Sequence, residues 1–188
     1  MIGFYILIGI VVIVILAVAT MFNTLVTKRN RMREAWSDID VQLKRRYDLI
    51  PNLVETVKGY ATHEQEVFEH VAEVRASIAK AQGVADKIQA ENQLSQTLKS
   101  LFAVAENYPQ LRASENFMAF QKQLEDTENK IQAARRFYNS IVMDYNTALQ
   151  QFPTNTIGRS FGFQDGVLFT VPEEEEQKMA AAPPVNFS

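Results

Sequence analysis

The chain has 188 residues, 47% of them hydrophobic and 22% charged, with a formal net charge of −3. That length predicts one domain, and so small a negative charge does not suggest a nucleic-acid partner, so none is expected. There is no cysteine, so disulfides, a thiolate nucleophile and a zinc–thiolate site are excluded as well.

The hydrophobic share is concentrated at the start. Residues 2–22, IGFYILIGIVVIVILAVATMF, carry no charge. About 21 residues at ~1.5 Å rise span roughly 30 Å, the thickness of a bilayer's hydrocarbon core. A secretory signal peptide would place basic residues before a shorter apolar stretch. Here Lys28, Arg29, Arg31 and Arg33 follow the run and no Lys or Arg precedes it. Although Ala17–Ala19 has the small-residue form of a cleavage site, the pattern predicts an uncleaved anchor over residues 1–23. Basic flanks are retained in the cytoplasm, so the N-terminus is expected outside and everything after about Thr24 inside. The same cations suit anionic lipid head groups, at about 1 kcal/mol each.

Beyond the anchor, Met32, Trp36, Ile39, Leu43, Tyr47, Ile50, Val54, Val57 and Ala61 recur every three or four residues, one stripe on one helix face. The stripe passes Pro51 in phase, which predicts one kinked helix. The cost is on the order of 3 kcal/mol for the missing hydrogen bond to the Tyr47 carbonyl and the crowding of the ring. A fresh helix starting at Pro51 is the alternative, because proline is tolerated at a first helical position.

Thr62 and Gln65 have the form of a capping box for a second helix with Val67, Val71, Val74, Ile78 and Ala81 inward, ending at Gly83. A third, with Ile88, Leu94, Leu98, Leu101 and Ala105 inward, should stop near Asn107 ahead of Pro109. Ser114 is the expected cap of a fourth. Its Phe117, Phe120, Leu124, Thr127, Ile131, Ala134, Tyr138, Ile141, Tyr145, Ala148 and Phe152 alternate steps of three and four. About 36 residues make a rod of roughly 54 Å. No segment alternates at period two over a useful length. The expected fold is all-α. An N-terminal transmembrane helix leads into an antiparallel up-down four-helix bundle over residues 24–152 with long first and fourth helices. Behind it come an aromatic, glycine-bearing segment (153–171) and a flexible acidic tail (172–188).

Catalytic groups do not converge. His63 and His70 stand seven residues apart on one expected helix face, about 10 Å along its axis, too far for one metal to bridge. Tyr60 and Val67 occupy the positions where Glu-x-x-His di-iron motifs need glutamates, and no glycine-rich phosphate loop is present. The expectation is no enzyme, no metal and no cofactor. Polar groups do recur in RRFYNSIVMDYN (135–146), which places Tyr138-Asn139 and Tyr145-Asn146 one heptad apart. Arg135, Tyr138, Asn139 and Asn146, with Glu128, can form a polar seam that fixes register against Asp38, Asp40, Gln42 and Arg46 of the first helix. A ligand pocket is the other reading. Downstream, Ile157, Phe161, Phe163, Val167, Leu168 and Phe169 are too many apolar side chains for a free tail. They are expected to be buried against the bundle, a second copy or the membrane interface, and so to mediate assembly or membrane contact.

Three blocks carry a resemblance: NTLVTKRNRMREAWSDIDVQLKRRYDLIPNLVETVKGYATHE, LEDTENKIQAARRFYN with its second YN, and FPTNTIGRSFGF. Together they closely resemble the LemA family of bacterial membrane proteins, over essentially the whole chain to about Val171. The resemblance implies a single-pass plasma-membrane protein with an antiparallel helical bundle and no catalytic residues. It also implies roles associated with stress response, membrane metalloproteases or membrane shaping, hence a membrane-protein or protease partner. The residues themselves favour a membrane-tethered, homo-oligomeric helical scaffold. A ligand-sensing module built on the Tyr-Asn-Arg seam is the alternative.

Overall fold

A computed structural model describes residues 1–170; the expected acidic tail, 172–188, lies outside the described residues. All regular structure among the described residues is helical: α1 (Ile2–Lys58), α2 (Gln65–Lys80), α3 (Val84–Glu106), α4 (Pro109–Arg112), α5 (Glu115–Gln150) and α6 (Thr154–Ser160). The apolar run and the amphipathic stripe form a single helix, since no glycine or proline separates Gly9 from Pro51. α1 continues through Pro51, as the phase of the stripe predicts. Its inward face is turned slightly from the predicted one. Ile39, Leu43, Ile50 and Val57 are buried as expected, but Ala35, Arg46 and Leu53 join them, while Met32, Trp36, Tyr47 and Val54 are half-buried.

Several local expectations are corrected. Thr62 does not cap α2: the cap position is Glu64, which makes no side-chain cap hydrogen bond. His63 lies in the turn before α2, so it does not share a helix face with His70. α2 ends at Lys80 with Ala81 extended, and Gly83, at φ +89°, opens α3 rather than closing α2. Only glycine enters that left-handed region without strain, which makes Gly83 a punctuation mark of either kind from sequence. α5 ends at Gln150, and Phe152, assigned to its buried stripe, is 85% exposed. Ser114 does act as a cap, accepting from the Phe117 amide at 3.2 Å.

The described chain divides into two compact units, each assembled from separated stretches. The first comprises 1–43 and 130–168. In it α1 and α5 run antiparallel: Trp36 stacks edge-on against Tyr138 at 5.4 Å, while nearer the start of α1 Leu25 shares a contact at Gly158 with Leu149. Leu25, Ala35, Ile39, Leu43, Ile131, Tyr138, Val142, Tyr145 and Gly158 are buried in it. At the N-terminal end the large apolar side chains from Ile2 to Leu16 are all exposed. α1 is the one helix among the described residues long and apolar enough to cross a membrane.

The second unit holds 44–129 with Phe169 and Thr170. Its core joins Ile50, Leu53 and Val57 of α1 and Ala61 to Val71 and Val74 of α2. α3 supplies Leu94, Leu98, Leu101 and Ala105, α4 Leu111, and α5 Phe117 and Leu124. Arg75 lies over the Tyr47 ring at 5.4 Å and Lys58 over Phe68 at 5.6 Å, so α2 runs antiparallel to α1 here.

Candidate functional site

In the first unit the polar positions of α5 close on the chain beyond α6. The Tyr138 hydroxyl donates to the Val167 carbonyl (2.8 Å) and the Tyr145 hydroxyl to the Gln164 carbonyl (3.0 Å). The Asn146 amide clasps Gly166 from both sides, Nδ2 donating to its carbonyl (3.0 Å) and Oδ1 accepting from its amide (2.7 Å). A free extended segment would leave these backbone groups to water; the helix supplies them with side-chain partners instead. Gly166 sits where a side chain would have to displace its neighbours. A Cβ there would overlap Met32 Sδ and press on Val142 Cγ1 at 3.1 Å. Burial pushes the Tyr138 phenol above its ordinary range. Burial does the same for Tyr145, reinforced by Asp165 and opposed by Arg29 and Arg33.

Of the predicted seam, Tyr138 and Asn146 are therefore brought together on residues 164–167. Arg135 and Asn139 are half-buried with partners of their own. The Tyr145 hydroxyl and Gly166 were missed as members of this cluster, although the repeated Tyr-Asn pair marked the helix face that carries it.

The aromatic segment returns to the start of the unit. Phe22, the last residue of the apolar run, packs against Phe161 (4.9 Å between ring centroids) and Phe163 (5.7 Å). The Arg29 guanidinium covers the Phe163 ring at 4.9 Å. Lys28 and Arg29 are half-buried, Arg31 and Arg33 exposed. Ile157 and Phe163 are half-buried, and Phe161 is 57% exposed.

The second unit contains a buried charge cluster. Arg46 of α1 and Glu91 of α3 are each 2% exposed and paired with one another. Arg46 also donates to Glu128 Oε2 (2.9 Å) and Ser95 Oγ (3.2 Å). The pairing of Arg46 with Glu128 is the mutual satisfaction expected of polar groups at a helix seam. Glu91 escaped sequence reasoning, yet it stands three residues from both Ile88 and Leu94, in phase with the buried stripe. A charge at a core phase was the available signal. Tyr47 donates to the Arg75 carbonyl, and its phenol is raised chiefly by burial. Phe169, 4% exposed, is buried in this unit, where Asn92 Nδ2 donates to the Thr170 carbonyl at 3.2 Å. His63 and His70 are exposed, and no group of three or more metal-ligating side chains occurs among the described residues.

A membrane-length apolar helix that flows into packed helices defines a membrane-associated helical protein. The chain belongs to the LemA family, whose model matches residues 35–187. It is 25% identical over 156 residues to protein LemA of Metamycoplasma hominis, covering 81% of this chain and 70% of that protein. It is also 24% identical over 174 residues to magnetosome protein MamQ 2 of Paramagnetospirillum magneticum, covering 79% and 64%. MamQ of Magnetospirillum gryphiswaldense is 23% identical over 169 residues, covering 76% and 62%. The chain thus spans less than two thirds of the length of these MamQ proteins.

Proposed function

We propose that this protein is a non-enzymatic, single-pass scaffold of the bacterial plasma membrane, with its N-terminus outside and its packed helices in the cytoplasm. It self-associates or recruits membrane proteins, a protease among the candidates, at the inner face. The observation that carries this reading is α1. One uninterrupted helix exposes its large apolar side chains from Ile2 (79%) to Leu16 (59%) and then buries a stripe from Leu25 onward. Such a surface is stable in hydrocarbon and costly in water. Lys28, Arg29, Arg31 and Arg33 on one flank support the inward orientation.

The antiparallel up-down order of four helices belongs to the same proposal, supported within the second unit by the pairing of α1 with α2. Tyr138 and Asn146 are bonded to the chain's own backbone, which favours a structural seam over a ligand pocket. Ile157, Phe161 and Phe163 are assigned to assembly or membrane contact, whereas Phe169, expected to share that role, is buried in the second unit.

Because the sequence has no cysteine, Ser188→Cys creates a unique label site. An impermeant maleimide should fail to reach it in intact cells and label it after lysis; labelling before lysis refutes the orientation. The detergent-corrected mass should exceed the 21.4 kDa of one chain, and a monomer would end the self-association reading.

A further inference from the structure

The assignment of Ile157, Phe161 and Phe163 to assembly or membrane contact leaves open which of the two the corner formed by α6 and its flanks makes. A phenylalanine stands at each end of this helix. Phe152 is 85% exposed and Phe161 is 57% exposed. Arg159, in the last turn of α6, is exposed too. The corner is held in place on its inner side. Gly158 is buried against Leu149 and Leu25, and a Cβ there would meet Leu149 Cδ2 at 2.7 Å. It is therefore a seated element that presents aromatic rings outward.

Its depth is set by its neighbour. Phe161 and Phe163 pack on Phe22, where the apolar run of α1 ends. Lys28 comes six residues later, about 9 Å further along the axis. If α1 crosses the bilayer, these rings stand at the boundary between hydrocarbon and head groups, with Arg159 and the Lys28–Arg33 cations beside them. Aromatic side chains are favoured at that depth, and basic ones are attracted to anionic head groups. A second copy is a poorer occupant. Two phenylalanines can bury roughly 150–250 Å² each, well below the about 800 Å² per partner of a stable protein interface. A lipid contact needs no such area, because the tether already holds the corner at the surface.

We propose that α6, with Phe152 and Phe161, is a second membrane contact that inserts its rings into the head-group layer of an anionic bilayer beside the exit of α1. The proposal rests on the transmembrane reading of α1, and its test separates the two.

The full chain, with single spin-labelled cysteines, is reconstituted into vesicles of phosphatidylglycerol and phosphatidylcholine. Labels are placed at Phe161→Cys or Phe152→Cys, at Val12→Cys within the anchor and at Phe137→Cys on the exposed face of α5. Collision with oxygen, which partitions into lipid, is compared with collision with a water-soluble nickel chelate. Labels at 161 and 152 should prefer oxygen, as the label at 12 does, while 137 prefers nickel. In vesicles of phosphatidylcholine alone, the preference at 161 should shift toward nickel.

Nickel preference at both 161 and 152 with oxygen preference at 12 overturns the second contact and leaves the tether standing. Nickel preference at 12 removes the crossing, and the second contact with it. Shielding of 161 from both reagents with spin–spin broadening assigns the corner to a second copy, which also overturns the proposal. An unchanged profile in neutral lipid overturns the anionic preference.

Discussion

Arg46 is tolerated in the interior because its charge is met there. The guanidinium reaches Glu91, Glu128 and Ser95 from one position on α1. Such clusters gain little net stability over an apolar core but are costly to break, since removing one partner leaves the other's charge desolvated. Arg46→Leu should therefore destabilise by about 3 kcal/mol, lowering the temperature at which the helical circular dichroism is lost. Arg46→Leu combined with Glu91→Leu should recover most of that drop. A single variant as stable as the parent would show that the pair is dispensable. The clasp tyrosines predict an alkaline response. Their phenols are raised by burial above the ordinary value of about 10, because the fold holds the neutral, hydrogen-bond-donating form. Their contribution is fully present below that value and is lost as pH rises through the folded value. A tyrosinate absorbance titration should show a late component that Tyr138→Phe with Tyr145→Phe diminishes, the raised Tyr47 phenol remaining in it. An unchanged titration curve would contradict the clasp.

Among elements, α1 is the one whose local chemistry and packing disagree. Pro51 cannot donate to the Tyr47 carbonyl, yet Ile50 and Leu53 beside it are fully buried in the second unit's core. Packing on both sides offsets a defect on the order of 3 kcal/mol. Pro51→Ala restores the donor and relieves the ring's crowding, against a gain of unfolded-chain entropy below about 1 kcal/mol. The full chain in detergent should then unfold at an equal or higher temperature. A drop of several degrees would mean that the bend itself is needed for packing. α5 is the opposite case, a helix whose stripe, cap and length agree. Its end falls at Gln150, two residues short of Phe152, because the residue before Pro153 is pushed out of helical geometry.

At the scale of the molecule, helix content, the passage through Pro51 and the cap at Ser114 were legible because each depends on spacing within about a turn, and the membrane-length apolar helix was legible from its run of uncharged residues. The ambiguous punctuation at Gly83 and the unused capping box at Thr62 were not. Several residues can satisfy the same local rule, and packing chooses among them. The candidate site was half legible. The repeated Tyr-Asn pairs marked the right face of α5, and Arg46 and Glu128 were recognised as seam residues, but Glu91 and Gly166, which complete the two clusters, were not.

Hydrophobic period and charge are enough to specify a bilayer-length N-terminal helix and long amphipathic helices behind it, and the motifs along them specify a helical membrane-associated family. The tertiary structure decided which distant residues meet. Asn146 takes Gly166, Arg46 takes Glu91, and Phe22 takes Phe161 and Phe163. Helical periodicity assigns a side chain to a face, but it carries no information about which segment will cover that face. That choice is made by the volume and unsatisfied polar groups left once the helices have packed.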